Sequence, residues 1–139
     1  MLLPLVVAFA LALAAHAQDY RDVAYGPHPR NVLDFDRAPS NGPSPVVVFL
    51  HGGGFVNGSK AQLSAAMRDR LLQGGISVAA INYRYATQAS FPAPMMDGVR
   101  AIQFLRWKAK DWNIDKDRIG AMGGSAGACM SLWIGYHDD

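Results

Sequence analysis

Hydrophobic and polar positions along this chain follow two periods. Pro45-Val46-Val47-Val48-Phe49-Leu50 is an unbroken apolar, β-branched run bounded by turn residues, the pattern of a fully buried strand. Ser77 to Asn82 and Arg118 to Met122 read as two further strands. Helix-length segments separate them: Lys60 to Gln73, stopped by Gly74-Gly75, and Pro94 to Trp112, opened by prolines. In the second segment Met95, Val99, Ile102, Leu105, Ala109 and Trp112 recur every three or four residues, a stripe that would pack on a sheet. Ala126 to Tyr136 reads as a third helix. Strands separated by helices predict right-handed crossovers and a doubly wound, mostly parallel α/β sheet. Pro39 to Pro45 reads as a surface turn, not a domain linker.

The N-terminus has a different pattern. Residues 1–17 contain no Asp, Glu, Lys or Arg, Leu2 to Ala15 are apolar throughout, and Ala15-His16-Ala17 fits a small-residue cleavage site. We expect a signal peptide over 1–17 and an exported (periplasmic or secreted) domain over 18–139, because the run is shorter than the roughly 20 residues of a membrane span. An uncleaved N-terminal anchor stays open as the alternative, and no membrane role beyond the export signal is expected. The net charge of +2 and the position of Arg100, Arg106, Lys108 and Lys110 off the apolar stripe indicate a solvated face, so nucleic acid is not expected as a partner. One cysteine, Cys129, excludes an intrachain disulfide and is expected as a small core residue. The four histidines form no ligand pair at helical spacing, so no metal is implied.

Two motifs carry chemistry. Gly123-Gly124-Ser125-Ala126-Gly127 fits G-x-S-x-G and lies between a strand and a helix, where a serine in a tight, strained turn needs very small residues two before and two after it. The Ala126 amide would then face an oxyanion from a helix N-terminus. His51-Gly52-Gly53-Gly54-Phe55 follows the first strand directly, and its glycines let backbone amides approach a ligand closely. Gly53 and Gly54 are the candidate donors, while His51 is expected to hold the loop through its ring nitrogens. A phosphate loop is the sharpest rival for these glycines. It fails because Ser59-Lys60 stands in the wrong order for G-x-x-x-x-G-K-[ST], and no stretch fits G-x-G-x-x-G.

With both motifs in this order, the chain resembles the α/β-hydrolase superfamily, within it the HGGGF-type carboxylesterase and lipase branch. The resemblance runs from about Tyr25 to Asp139 and includes Asn31 to Phe35, Ile81-Asn82-Tyr83-Arg84, Phe91 to Pro94, and Trp112 to Asp115 with Asp117-Arg118-Ile119. Many hormone-sensitive-lipase-like esterases have Asp before the nucleophile; Gly124 stands there in this chain, closer to feruloyl-esterase-like and kynurenine-formamidase-like relatives. The resemblance implies a serine hydrolase acting on small-molecule carboxylic esters without a cofactor. It implies Ser125 as nucleophile, Gly53, Gly54 and Ala126 as oxyanion hole, and His51, Gly52, Gly123, Gly124 and Gly127 as support.

The partners of such a serine follow it in the order Ser, Asp or Glu, His. Here only fourteen residues follow Ser125, and the chain contains no glutamate. His137 would lie roughly 18 Å along a helix from Ser125, beyond hydrogen-bond reach, and Asp138 and Asp139 fail on the same ground. His28 is expected in a surface turn, and Asp97 as a cap or first-turn charge. The sequence therefore reads as the N-terminal half of such an enzyme, with base and acid missing. Two alternatives stay open: a non-catalytic binder of acyl or carbonyl groups, and hydrolysis of a formamide or peptide bond by the same serine. Oligomeric state is not legible.

Overall fold

The structure, a computed structural model, describes residues 19–137. The expected signal peptide over 1–17 and the terminal Asp138 and Asp139 lie outside the described residues.

Among the described residues five strands form one sheet: β1 (Asp19–Ala24), β2 (Val32–Asp36), β3 (Ser44–Leu50), β4 (Ser77–Ile81) and β5 (Ile114–Gly123), in the order β1-β2-β4-β3-β5. The β3/β4 and β3/β5 pairs are parallel, whereas β2 runs antiparallel to both β1 and β4. Only β2 therefore opposes the common direction, and the sheet is mixed but mostly parallel. The helices are α1 (Ala65–Gln73), α2 (Ala93–Trp112) and α3 (Ala126–Tyr136). β4 and β5 lie on opposite sides of β3, so right-handed crossovers put α1 and α2 on opposite faces, the doubly wound arrangement.

The core forms on the α2 face. Leu33 and Phe35 of β2, Ala79 and Ile81 of β4, and Val46, Val48 and Leu50 of β3 share that face by register and pack with Met95, Ile102, Leu105 and Trp112 of α2. The apolar stripe of α2 thus meets the sheet as its spacing predicts, with Val99 also buried and Ala109 partly so. Trp112 ends the helix in a ring cluster, stacked on Tyr20 at 4.4 Å and on Phe35 at 4.8 Å. Arg100, Arg106 and Lys110 are exposed and Lys108 is half-buried.

Four expectations need correction. β3 is not fully buried: Val47 and Phe49 are half-buried, because they face α1, a helix with no buried residue. The fully buried strand is β4. The helix expected over Lys60 to Gln73 is split into a 3-10 turn at Lys60–Gln62 and α1, because Ser59 and Ser64 each cap a separate start, the Ser64 hydroxyl accepting from the Met67 amide at 3.2 Å. Cys129 is exposed, since α3 buries Ala126, Gly127 and Met130 and Cys129 projects about 100° from Met130. Asp97 is no first-turn surface charge. It is completely buried, and its carboxylate accepts from the Arg84 amide at 2.9 Å and from the Arg84 guanidinium at 2.7 Å.

Candidate active site

Register brings the two motifs together. Leu50 at the end of β3 pairs with Gly123 at the end of β5, so the loop that begins at His51 and the turn that contains Ser125 leave the same edge of the sheet side by side. A Cβ built on Gly52 would stand 3.7 Å from the Ser125 Cβ and 3.2 Å from the Gly124 carbonyl oxygen, which sets the loop directly against the turn.

Ser125 has φ 54° and ψ −119°, a conformation that non-glycine residues rarely hold and that costs on the order of 1–3 kcal/mol. The surroundings maintain it by close packing. Cβ atoms at Gly123 or Gly127 would overlap the Leu50 carbonyl oxygen, whereas a Cβ at Gly124 would meet nothing within 4 Å. Only the two outer glycines of the pentapeptide are therefore sterically demanded. Ser125 is exposed, and Ala126 follows it as the first residue of α3, whose N-terminal amides point to the end where the serine stands.

Across from the turn, Gly53 and Gly54 have φ of +124° and +59°, and Phe55 continues at +63°. Turn hydrogen bonds from the Val56 and Asn57 amides to the Gly53 carbonyl, at 3.0 and 3.1 Å, close this stretch. The Gly52 amide donates to Gln62 Oε1 at 3.1 Å, which removes it from the set of ligand donors. Phe55 packs edge-on against Phe91, with ring centroids 5.1 Å apart.

His51 is fully buried beneath the loop and stacked on Tyr83 with ring centroids 4.1 Å apart. Its Nδ1 lies 2.7 Å from the Gly52 carbonyl oxygen and its Nε2 lies 3.3 Å from the Arg30 guanidinium. Burial, with Arg30 adding to it and the Gly52 bond opposing it, pushes the His51 pKa below its ordinary value, which favours the neutral ring. Both ring nitrogens are therefore occupied, one at the Gly52 carbonyl and one at Arg30. The Tyr83 hydroxyl donates to the His51 carbonyl at 2.7 Å, and burial pushes its pKa up to about 12.

Sequence reasoning missed Arg30. Its Nε donates to the Tyr83 carbonyl at 2.7 Å, its Nη2 to the Gly58 carbonyl at 3.1 Å, and its guanidinium lies 3.8 Å over the Tyr85 ring. A single arginine in the turn Pro27-His28-Pro29-Arg30-Asn31 gives no periodic signal.

The remaining candidates stay apart. His137 caps α3 at its far end, the helix's full length of about 16 Å from Ser125, with its ring on Trp133. His28 accepts from the Arg30 amide at 3.1 Å within its turn. Lys60, the residue of the rejected phosphate loop, is engaged by Asp34 at 2.6 Å and Asp22 at 3.0 Å. Among the described residues no group of three or more His, Cys or Asp side chains could hold a metal. Two cavities of about 320 and 580 Å³ lie away from the motifs, the first between α2, β5 and α3 and the second around Asn113 to Arg118.

Serine, loop and helix N-terminus thus converge at one edge of the sheet. The BD-FAE family model matches residues 33–139. The chain is 35% identical over 130 residues to isoprenylcysteine alpha-carbonyl methylesterase of Arabidopsis thaliana, covering 92% of this chain and 30% of that protein. It is 36% identical over 121 residues to esterase LipQ of Mycobacterium tuberculosis, covering 84% of this chain and 28% of LipQ. The chain therefore spans less than a third of the length of these curated relatives. Among solved structures, a truncated form of a carbohydrate esterase from gut microbiota superposes with a TM-score of 0.78 at 28% identity, over 88% of this chain and 44% of that one. A bacterial heroin esterase does so with a TM-score of 0.68 at 28% identity, over 88% and 39%.

Proposed function

The chain belongs to the BD-FAE family, and on that premise we propose that it carries the nucleophile and oxyanion hole of a serine hydrolase acting on carboxylic esters. The observation that carries this reading is the backbone of Ser125 at φ 54° and ψ −119°, held by Gly123 and Gly127 and faced by Gly52. Strain of this kind is retained where the surrounding structure enforces it and a function uses it.

In the proposed reaction Ser125 Oγ attacks the ester carbonyl carbon and its proton passes to a histidine. The carbonyl oxygen becomes an oxyanion that accepts hydrogen bonds from the amides of Gly53, Gly54 and Ala126. The alcohol leaves with that proton, and water then cleaves the acyl-serine to release the acid. In this reading the amides stand in place before the charge develops, so little reorganisation is needed. His28, His51 and His137 are all engaged elsewhere. We assign base and acid to sequence outside these residues, a reading supported by the small share of the relatives' length that this chain spans. The apolar run over residues 2–15 supports export.

Hydrolysis of a short-chain p-nitrophenyl ester by the full-length protein tests the reading. Ser125→Ala is expected to lower kcat by about 10⁴-fold or more. A variant with the wild-type rate, or a wild-type protein that leaves the ester intact, would overturn it.

A further inference from the structure

The glycine loop needs its amides aimed, yet glycines cannot aim themselves. Two features of its anchorage show what does. The first is the proton on His51. A guanidinium has only donors, so His51 Nε2, 3.3 Å from Arg30 Nη2, must be the acceptor. The ring proton then sits on Nδ1 and is donated to the Gly52 carbonyl at 2.7 Å. The second is the peptide that this bond holds. In a trans peptide the C=O and N–H point in opposite directions, so fixing the Gly52 carbonyl fixes the direction of the Gly53 N–H.

We infer that Arg30 is a positioning residue for the oxyanion loop: it sets the tautomer of His51 and, through the Gly52 carbonyl, the orientation of the Gly53 amide. This rests on the reading of Gly53 as an oxyanion donor. Arg30 is built for the task. Its Nη2 spans His51 and the Gly58 carbonyl, the two ends of the loop, while its Nε holds the Tyr83 carbonyl. Tyr85 covers the guanidinium and donates its own hydroxyl to the Gly58 carbonyl at 2.5 Å. Gly58, at φ +96°, packs so closely on this anchorage that a Cβ there would stand 2.6 Å from His51 Nδ1. Among the described residues, the titratable or charged side chains facing His51 are Arg30, Tyr83 and Tyr85. A lysine at position 30 would supply donors from a single nitrogen but not the planar fork.

The test joins nitrogen-15 NMR of the His51 ring with ester kinetics, both on the full-length protein at neutral pH. The wild type is expected to show a protonated Nδ1 and a bare Nε2. Arg30→Met is expected to mix the tautomers and to lower kcat about 10- to 100-fold with KM within about twofold, a smaller loss than removing a donor outright. Arg30→Lys is expected to restore the tautomer and part of kcat. A wild-type ring protonated on Nε2 overturns the inference, as does a folded Arg30→Met variant that keeps either the wild-type tautomer or the wild-type kcat. If Arg30→Met does not fold, the wild-type spectrum and Arg30→Lys decide. Should the wild type hydrolyse no ester, the reading of Ser125 fails while the tautomer measurement still judges the coupling of Arg30 to His51.

Discussion

The carbonyl oxygen of Leu50 occupies the space in which Gly127 would carry a Cβ. The end of β3 and the start of α3 therefore touch backbone to backbone, beneath Ser125. Gly127→Ala is expected to cost about 3 kcal/mol, at the upper end of overpacking, because backbone on both sides must give. Gly124→Ala, with nothing within 4 Å, is expected to stay within about 0.5 kcal/mol of wild type. Urea denaturation of the two full-length variants checks the contrast.

Asp97 should matter more to stability than any exposed carboxylate. Its side chain is 1% exposed and holds both the amide and the guanidinium of Arg84, fixing the segment after β4 that carries Tyr83. Asp97→Asn is expected to cost about 3 kcal/mol, since it leaves a buried cation-binding position without its charge. Asp111→Asn, which weakens the pair between the exposed Asp111 and the half-buried Lys108 at 3.8 Å, is expected to cost less than about 0.5 kcal/mol. Thermal and urea melts of both variants measure the difference.

His51 predicts a pH effect of definite sign. Burial keeps its folded pKa below 6.5, the value of the unfolded chain, so the unfolded state binds the proton first as pH falls. Its contribution is complete above pH 6.5 and is lost as pH drops from there toward the folded pKa, with a slope of up to about 1.4 kcal/mol per pH unit. His51→Gln removes the group. The stability difference between wild type and His51→Gln should therefore shrink from pH 7 to pH 5, and a difference independent of pH would contradict this.

The parts legible in the sequence were those in which one local pattern demands one geometry. The stripe of α2 required a sheet to pack on, and the spacing of Gly123 and Gly127 around Ser125 required a turn that only glycine could enter. What escaped was set by distant partners. β1 contains charged residues and a bulge with Asp22 at φ 51°, and it exists because β2 offers it an edge. β5 reaches back to Ile114 through the polar Asp115 to Arg118, beginning where Ile114 pairs with Ser44. The burial of Asp97 depends on Arg84, and the role of Arg30 on a histidine twenty-one residues further on.

The most direct test of the central claim is covalent capture of the nucleophile. A fluorophosphonate reacts with an activated serine, whose oxygen displaces fluoride from phosphorus. Peptide mapping of the treated full-length protein is expected to place the adduct on Ser125, with labelling lost in a folded Ser125→Ala variant. An adduct on another residue, or none in a protein that hydrolyses esters, would contradict the account.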